Sequence, residues 1–235
     1  MGDVVSIVGP TGSGKTTLIN DIELFADHNT PTGRRILING QPPLPEYSEN
    51  PSSNPIALIT QHTTFLSDLP VGEFLTTHAR VRGGKDSQIG ALVQQTLDFA
   101  NQLTGEPINV AGKMTELSGG QTRALLIADA TIICNTPIVL LDEVENAGIY
   151  RQRTLELLRG YRKIFVFVTH DPHITLLSDY RIVLQGGGIA KVIHTTAEER
   201  MLSGKVGKID DVLAAMREKI RLGEVVTRSD LEEVL

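Results

Sequence analysis

The segment Gly9-Pro10-Thr11-Gly12-Ser13-Gly14-Lys15-Thr16 constrains this chain more than any other stretch. It satisfies G-x-x-x-x-G-K-[ST] at every fixed position and follows the β-branched run Val4–Val8, so it reads as a strand feeding a helix through a glycine-rich turn. Glycines let backbone N–H groups curl around phosphate oxygens. The helix behind them aims the positive end of its dipole at the same point, and Lys15 adds a point charge. Thr16 then offers its hydroxyl to Mg²⁺. A glycine-rich turn that binds nothing is the bland alternative, and the full match behind a strand weighs against it. The loop implies a nucleoside triphosphate.

The rest of the composition sets bounds around that loop. A chain of 235 residues, 40% hydrophobic and 21% charged, can bury one globular core or a core with an inserted lobe. Its formal charge of −6 argues against a nucleic-acid partner, which would call for a basic surface. The single cysteine, Cys134, lies in an apolar run; it excludes an internal disulfide, has no metal-ligand spacing around it, and fits a reducing, cytoplasmic compartment. No apolar stretch approaches the ~20 residues of a membrane span. Met1-Gly2 with Ser6 formally fits a myristoylation pattern but runs straight into the first strand, and there is no secretory signal.

Along the chain, Leu18, Ile19, Ile22, Leu24 and Phe25 predict a helix ending near Asp27-His28-Asn29. A short strand is expected over Arg35 to Asn39, closed by Asn39-Gly40, then a loop over Gln41 to Pro55 and a strand over Ile56 to Thr60. From Phe65 to Glu116 the pattern turns helical, as an inserted lobe would. A long apolar helix from Gln121, strands Ile138 to Leu141 and Ile164 to Thr169, and a helix Arg151 to Arg159 between them imply a parallel sheet. Arg181 to Leu184 and Ile189 to His194 read as a hairpin through Gly186-Gly187-Gly188, and the tail spaces Ile209, Val212, Leu213, Met216 and Ile220 as a helix face. The expected division is 1–64 and 121–195 for the core, 65–120 for the lobe and 196–235 for the tail.

Further motifs converge on the loop. Leu117-Ser118-Gly119-Gly120-Gln121 stands before a helix, so its backbone N–H groups could meet an anion. Asp142 ends the strand in PIVLLDE and can hold Mg²⁺, with Glu143 next to it placed to polarise a water. Gln61 ends ALITQ and His170 ends FVTHD. Their strand ends should face the same sheet edge as Lys15.

With these elements in this order the chain resembles the ATP-binding cassette (ABC) ATPases over nearly all of Val4 to His194. The resemblance implies an α/β, RecA-like P-loop NTPase sheet with an inserted helical lobe. It implies Gly9, Pro10, Thr11, Gly12, Ser13, Gly14, Lys15, Thr16 and Thr17 as the Walker A loop around ATP, Gln61 as the Q-loop residue, and Ile138 to Asp142 as Walker B. Glu143 becomes the catalytic carboxylate and His170 the switch histidine on the γ-phosphate, with Mg²⁺ met by Thr16, Gln61 and Asp142. Leu117 to Gln121 is the signature. In such proteins Ser118, Gly119, Gly120 and Gln121 would complete the nucleotide site of a second ABC subunit, so two ATP molecules are sandwiched head to tail.

The resemblance further implies a transmembrane permease as partner, a location at the inner face of the cell membrane, and a receptive surface in FLSDLPVGEFL after Gln61. The alternative is a soluble ABC ATPase acting in assembly, repair or translation. Two departures stand out. Asn146-Ala147-Gly148-Ile149 replaces a family pattern close to Ser-Ala-Leu-Asp, and Ile149 cannot replace the acidic side chain. Only three residues precede Val4, so the family's first strands and adenine-stacking aromatic are expected to be missing. An unpaired edge is then expected near Ile36 to Ile38, together with a weakened base preference; a strong preference for ATP would instead assign the base platform to another residue, Tyr47 or one from a partner subunit.

Overall fold

Runs such as VVSIV, IVLLD and IFVFV lack polar alternation, which suits strands covered on both faces. A computed structural model describes residues 2–50, 52–143, 151–228 and 230, and these runs are its inner strands. They are β1 (Val4–Val8), β2 (Ile56–Thr60), β3 (Ile138–Asp142) and β4 (Ile164–Val168), followed by β5 (Tyr180–Gln185) and β6 (Gly188–His194). Among the described residues they form one sheet in the order β2-β3-β4-β1-β5-β6, parallel except for the antiparallel β5–β6 hairpin.

Helices cover both faces: α1 (Lys15–Glu23), α2 (Pro45–Glu49), α3 (Val71–Val81), α4 (Asp86–Leu103), α5 (Gly119–Thr131), α6 (Arg151–Arg159), α7 (Pro172–Leu177) and α8 (Ala197–Arg221). Because strand side chains alternate, neighbours along one strand enter different cores. Leu141, Phe165 and Phe167 join the larger cluster with Leu75, Leu103 and Leu125. Leu140 and Val168 face the smaller one with Ile7, Ile19 and Leu184.

Several local expectations are corrected. The first helix stops at Glu23, with Leu24 as its cap, short of Asp27. Residues 35–39 form no strand: Asp27 bridges Arg35, and Ile38 bridges Gln41. The reason is the turn pair itself. Asn39 and Gly40 both take positive φ, 51° and 77°, so Ile38 and Gln41 spend their N–H groups on each other's carbonyls at 2.8 and 3.0 Å. The expected open edge at Ile36 to Ile38 is therefore no strand edge; Ile36 donates its N–H to the Ala26 carbonyl, and Ile38 packs on the smaller cluster.

The expected loop over 41–55 contains α2, started by Pro45, which sets a helical φ where no N–H is needed. Tyr47 on α2 packs against Phe25 with ring centroids 6.0 Å apart, so it is committed to the core rather than to a base. The helix expected from Gln121 begins at Gly119, and α7 adds a short helix that the apolar periodicity does not predict; Asp171 caps it by accepting from the His173 and Ile174 N–H groups. Residues 146–149, where the family loop departs, lie outside the described residues.

Phe167 is 1% exposed at the centre of the larger cluster. Truncating it to Ala should cost about 3–5 kcal/mol of unfolding free energy by urea titration, whereas Leu213→Ala, at an exposed position on α8, should cost far less. Equal losses at the two sites would contradict the assigned core.

Candidate functional site

Register brings distant sequence together. Thr60 pairs with Asp142, Asp142 with Val168, and Val168 with Ile7. The residues that leave β2, β3, β4 and β1 therefore emerge side by side: Gln61, Glu143 with Asp142, Thr169 with His170, and the loop that begins at Gly9. In open α/β sheets, ligands bind at this carboxyl edge.

The glycine-rich loop is shaped by what surrounds it. Gly12 and Gly14 have φ of 77° and 90°, a region L side chains disfavour, and Gly14 is the N-cap of α1. A Cβ on Gly9 would lie 2.3 Å from the Leu184 carbonyl oxygen of β5. The hairpin turn closes over the loop as well, since Gly187 N–H donates to the Ser13 carbonyl at 3.2 Å. Lys15, only 7% exposed, donates from Nζ to the carbonyls of Gly9 and Pro10 at 2.9 and 3.2 Å. Among the described residues Ser13 Oγ is buried with no hydrogen-bond partner, an unmet polar atom inside a loop already rich in donors. Thr16 and Thr17 are exposed on the first turn of α1.

Arg34 braces this loop from outside. One guanidinium nitrogen reaches Asp21 Oδ2 on α1 at 2.7 Å, and another donates to the Gly187 carbonyl. Burial alone would push the Asp21 carboxyl upward, but hydrogen bonds from Arg34 and Thr32 more than reverse this, and its pKa falls below the usual value.

At the strand ends, Asp142 is 8% exposed, and Glu143 turns away with φ 51° while its N–H donates to the Val168 carbonyl at 3.0 Å. His170 is exposed, as is Gln61, whose amide Nε2 lies 3.1 Å from His62 Nε2. The Thr16 hydroxyl, the Asp142 carboxylate and the Gln61 amide oxygen are hard donors of the type Mg²⁺ takes. Loop N–H groups, the start of α1 and an ammonium suit a polyphosphate.

The second glycine motif is held elsewhere. Ser118 caps α5: its Oγ accepts from Gln121 N–H, while Gln121 Oε1 accepts from Ser118 N–H at 2.9 Å, a capping box. Gln121 Nε2 also donates to the Pro107 carbonyl. Ser118 and Gly119 stay exposed. Arg123, which the motifs did not single out, donates to the carbonyls of both Gly119 and Gln61, at 3.1 and 2.9 Å. Its i,i+4 spacing from Gly119 was visible in sequence; the reach to Gln61, across 62 positions, was not.

Residues 1–146 match the profile of the family described as ABC transporter. The chain belongs to the ABC transporter family. As an ABC protein it is an ATPase on the P-loop NTPase fold. It is 47% identical over 230 residues to an uncharacterized ABC transporter ATP-binding protein of Methanocaldococcus jannaschii, covering 98% of this chain and 87% of that one. It is 33% identical over 213 residues to an ATP-dependent lipid A-core flippase of Cupriavidus pinatubonensis, matching 84% of this chain but 34% of the flippase. The fold is shared, at TM-score 0.63 and 24% identity, with a dimeric ATP-binding cassette solved in a post-hydrolysis state with ADP and Pi. That likeness covers 83% of this chain and 87% of the other.

Two outcomes are expected for this ABC chain. Gly9→Ala should lower the stability of the nucleotide-free protein by about 1–3 kcal/mol, since the methyl meets a backbone carbonyl that cannot step aside. A thermal unfolding midpoint equal to the parent's would contradict the close approach. Asp21, with its lowered folded-state pKa, contributes stability that is present above the unfolded value of about 3.9 and lost as pH falls through the folded value. The stability gap between the parent and Asp21→Asn, read by urea unfolding, should be full near neutrality and close on acidification below about pH 4.

Proposed function

We propose that this ABC protein is the energising subunit of a membrane transporter, two copies of which close head to tail on two Mg-ATP and separate after hydrolysis. One observation carries the reading: Ser118 and Gly119 are exposed at the start of α5, and the hydrogen bonds of their helix run to Pro107 and Gln61 rather than to the chain's own phosphate loop. A helix start so presented suits the nucleotide of a second copy. The names of the relatives support a transport role, and among the described residues no helix is long and apolar enough to cross a membrane, which calls for a permease partner. Leu66, 99% exposed in the segment after Gln61, offers that partner an apolar contact.

In this mechanism Lys15 trades two neutral carbonyls for the β- and γ-phosphates, a gain in charge-assisted hydrogen bonding. Thr16, Asp142 and Gln61 would hold Mg²⁺, which when bound neutralises phosphate charge. Glu143 accepts a proton from the attacking water, and His170 senses the γ-phosphate from the neighbouring strand end. Arg123 acts as a positioning residue: a shift of Gln61 toward the phosphates pulls on Gly119, so the lobe that serves the second copy follows the first copy's nucleotide.

Lys15→Ala should abolish ATP turnover, and Glu143→Gln should bind ATP, fail to hydrolyse it and run as an ATP-stabilised dimer on gel filtration. A Glu143→Gln chain that stays monomeric at saturating ATP would count against the sandwich. Affinity purification of the native protein should bring down an integral membrane protein; recovery solely in soluble complexes would overturn the transport role and favour action in assembly, repair or translation.

A further inference from the structure

Cys134 has no ligand spacing in sequence, yet the fold gathers partners around it. His78 on α3 and Asp129 near the end of α5 come from 56 and 5 positions away, and one ligand atom from each of the three residues lies within 4.8 Å of the others. We propose that His78, Asp129 and Cys134 form a binding site for a soft divalent cation such as Zn²⁺, at the end of the sheet opposite the phosphate loop. Cys134 precedes β3, whereas Asp142 ends it, so the two sites share a strand but not an edge.

The geometry supplies what such an ion needs. Asp129 Oδ1 accepts from His78 Nδ1 at 2.9 Å, and Arg82 Nε donates to His78 Nε2 at 3.4 Å. An acceptor Nε2 is the tautomer a metal requires, and Asp129 turns from Nδ1 toward the ion on becoming its ligand, since one carboxylate cannot stand behind the ring and beside the metal at once. Cys134 Sγ lies 4.0 Å from Nε2 and 3.5 Å from Asp129 Oδ2. Around a tetrahedral zinc, with Zn–S near 2.3 Å and Zn–N near 2.0 Å, neighbouring ligand atoms stand roughly 3.5 Å apart. The thiol–carboxylate pair is already at that spacing and the thiol–imidazole pair must close by about half an ångström. A thiolate and an imidazole favour Zn²⁺ over Mg²⁺ or Ca²⁺, and the half-buried His78 and Cys134 leave an approach from solvent for the ion and a completing water.

Two costs set the affinity. Burial, then the Asp129 carboxylate, push the Cys134 thiol up to about 12, so the ion must displace its proton: Zn²⁺ plus Cys–SH gives Zn–S–Cys with one H⁺ released. Arg82, whose guanidinium lies against both His78 Nε2 and the Cys134 thiol, must also give up these two ligand atoms and swing aside, keeping its bond to the Ser52 carbonyl or losing it. Lys163, the other cation within electrostatic reach of the thiol, is already held by Asn135 Oδ1 and the Thr136 carbonyl and does not occupy the site.

Cobalt tests this without reference to ATP turnover, because Cys134 is the sole cysteine and a thiolate-to-cobalt charge-transfer band can come from nowhere else. The reduced, tag-free, nucleotide-free full chain titrated with Co²⁺ should develop that near-ultraviolet band, and added Zn²⁺ should erase it. Cys134→Ser should show no band, Asp129→Asn should bind roughly 10- to 100-fold more weakly, and Arg82→Gln should bind more tightly than the parent. Circular dichroism checks that each variant keeps the parent fold. No band in the parent under excess Co²⁺ would overturn the site, and weaker binding by folded Arg82→Gln would overturn the assignment of Nε2 as ligand.

Discussion

Parallel pairing in register is the constraint on which the other features depend. A parallel strand cannot return to its neighbour through a tight turn, so each connection must cross the sheet as a longer segment. In this chain those segments carry the helices that cover both faces. Once Asp142 lies level with Thr60 and Val168, and Val168 level with Ile7, the carboxyl ends of β1, β2, β3 and β4 open on one rim. Residues that the sequence holds far apart then share a volume. The near-continuous apolar runs that make these strands fold are also what leaves the rim as the first place where polar side chains can stand.

Around that rim, backbone does most of the shaping. Gly9 meets a carbonyl of β5, Ser13 accepts from Gly187, and Lys15 is anchored by two main-chain oxygens. A loop built this way depends on the absence of side chains at Gly9, Gly12 and Gly14 more than on the identity of any neighbour. Glu143 follows the same logic with a cost, since a non-glycine residue in the left-handed region is strained by about 1–3 kcal/mol. Its N–H bond to Val168 helps hold it there.

Legibility from sequence followed the range of the interactions. β1, β3 and β4 were visible because short, largely apolar runs need nothing beyond themselves to declare a buried strand, and the glycine-rich loop because its glycines answer to local geometry. The hairpin through Gly186-Gly187 was visible for the same reason. Residues 35–39 misled because their apolar run, Ile36-Leu37-Ile38, is only three residues long and the Asn39-Gly40 turn consumes its hydrogen bonds. At the rim, the motif residues were legible as types, and their side-by-side emergence follows from a register that no local pattern encodes. Arg34, Arg123 and the His78–Asp129–Cys134 cluster were illegible because each joins elements through contacts across tens of positions or more.

The bridge made by Arg123 has a consequence for how such a protein can change over evolutionary time. Both of its acceptors are main-chain carbonyls, at Gly119 and Gln61, and every residue type carries that oxygen. Substitutions at either acceptor leave the bridge chemically intact as long as the backbone path is kept. Only position 123 itself is irreplaceable, because a single planar fork with several donors is what spans the two oxygens. The link between the strand rim and the start of α5 is therefore tolerant to drift at two of its three positions and brittle at one.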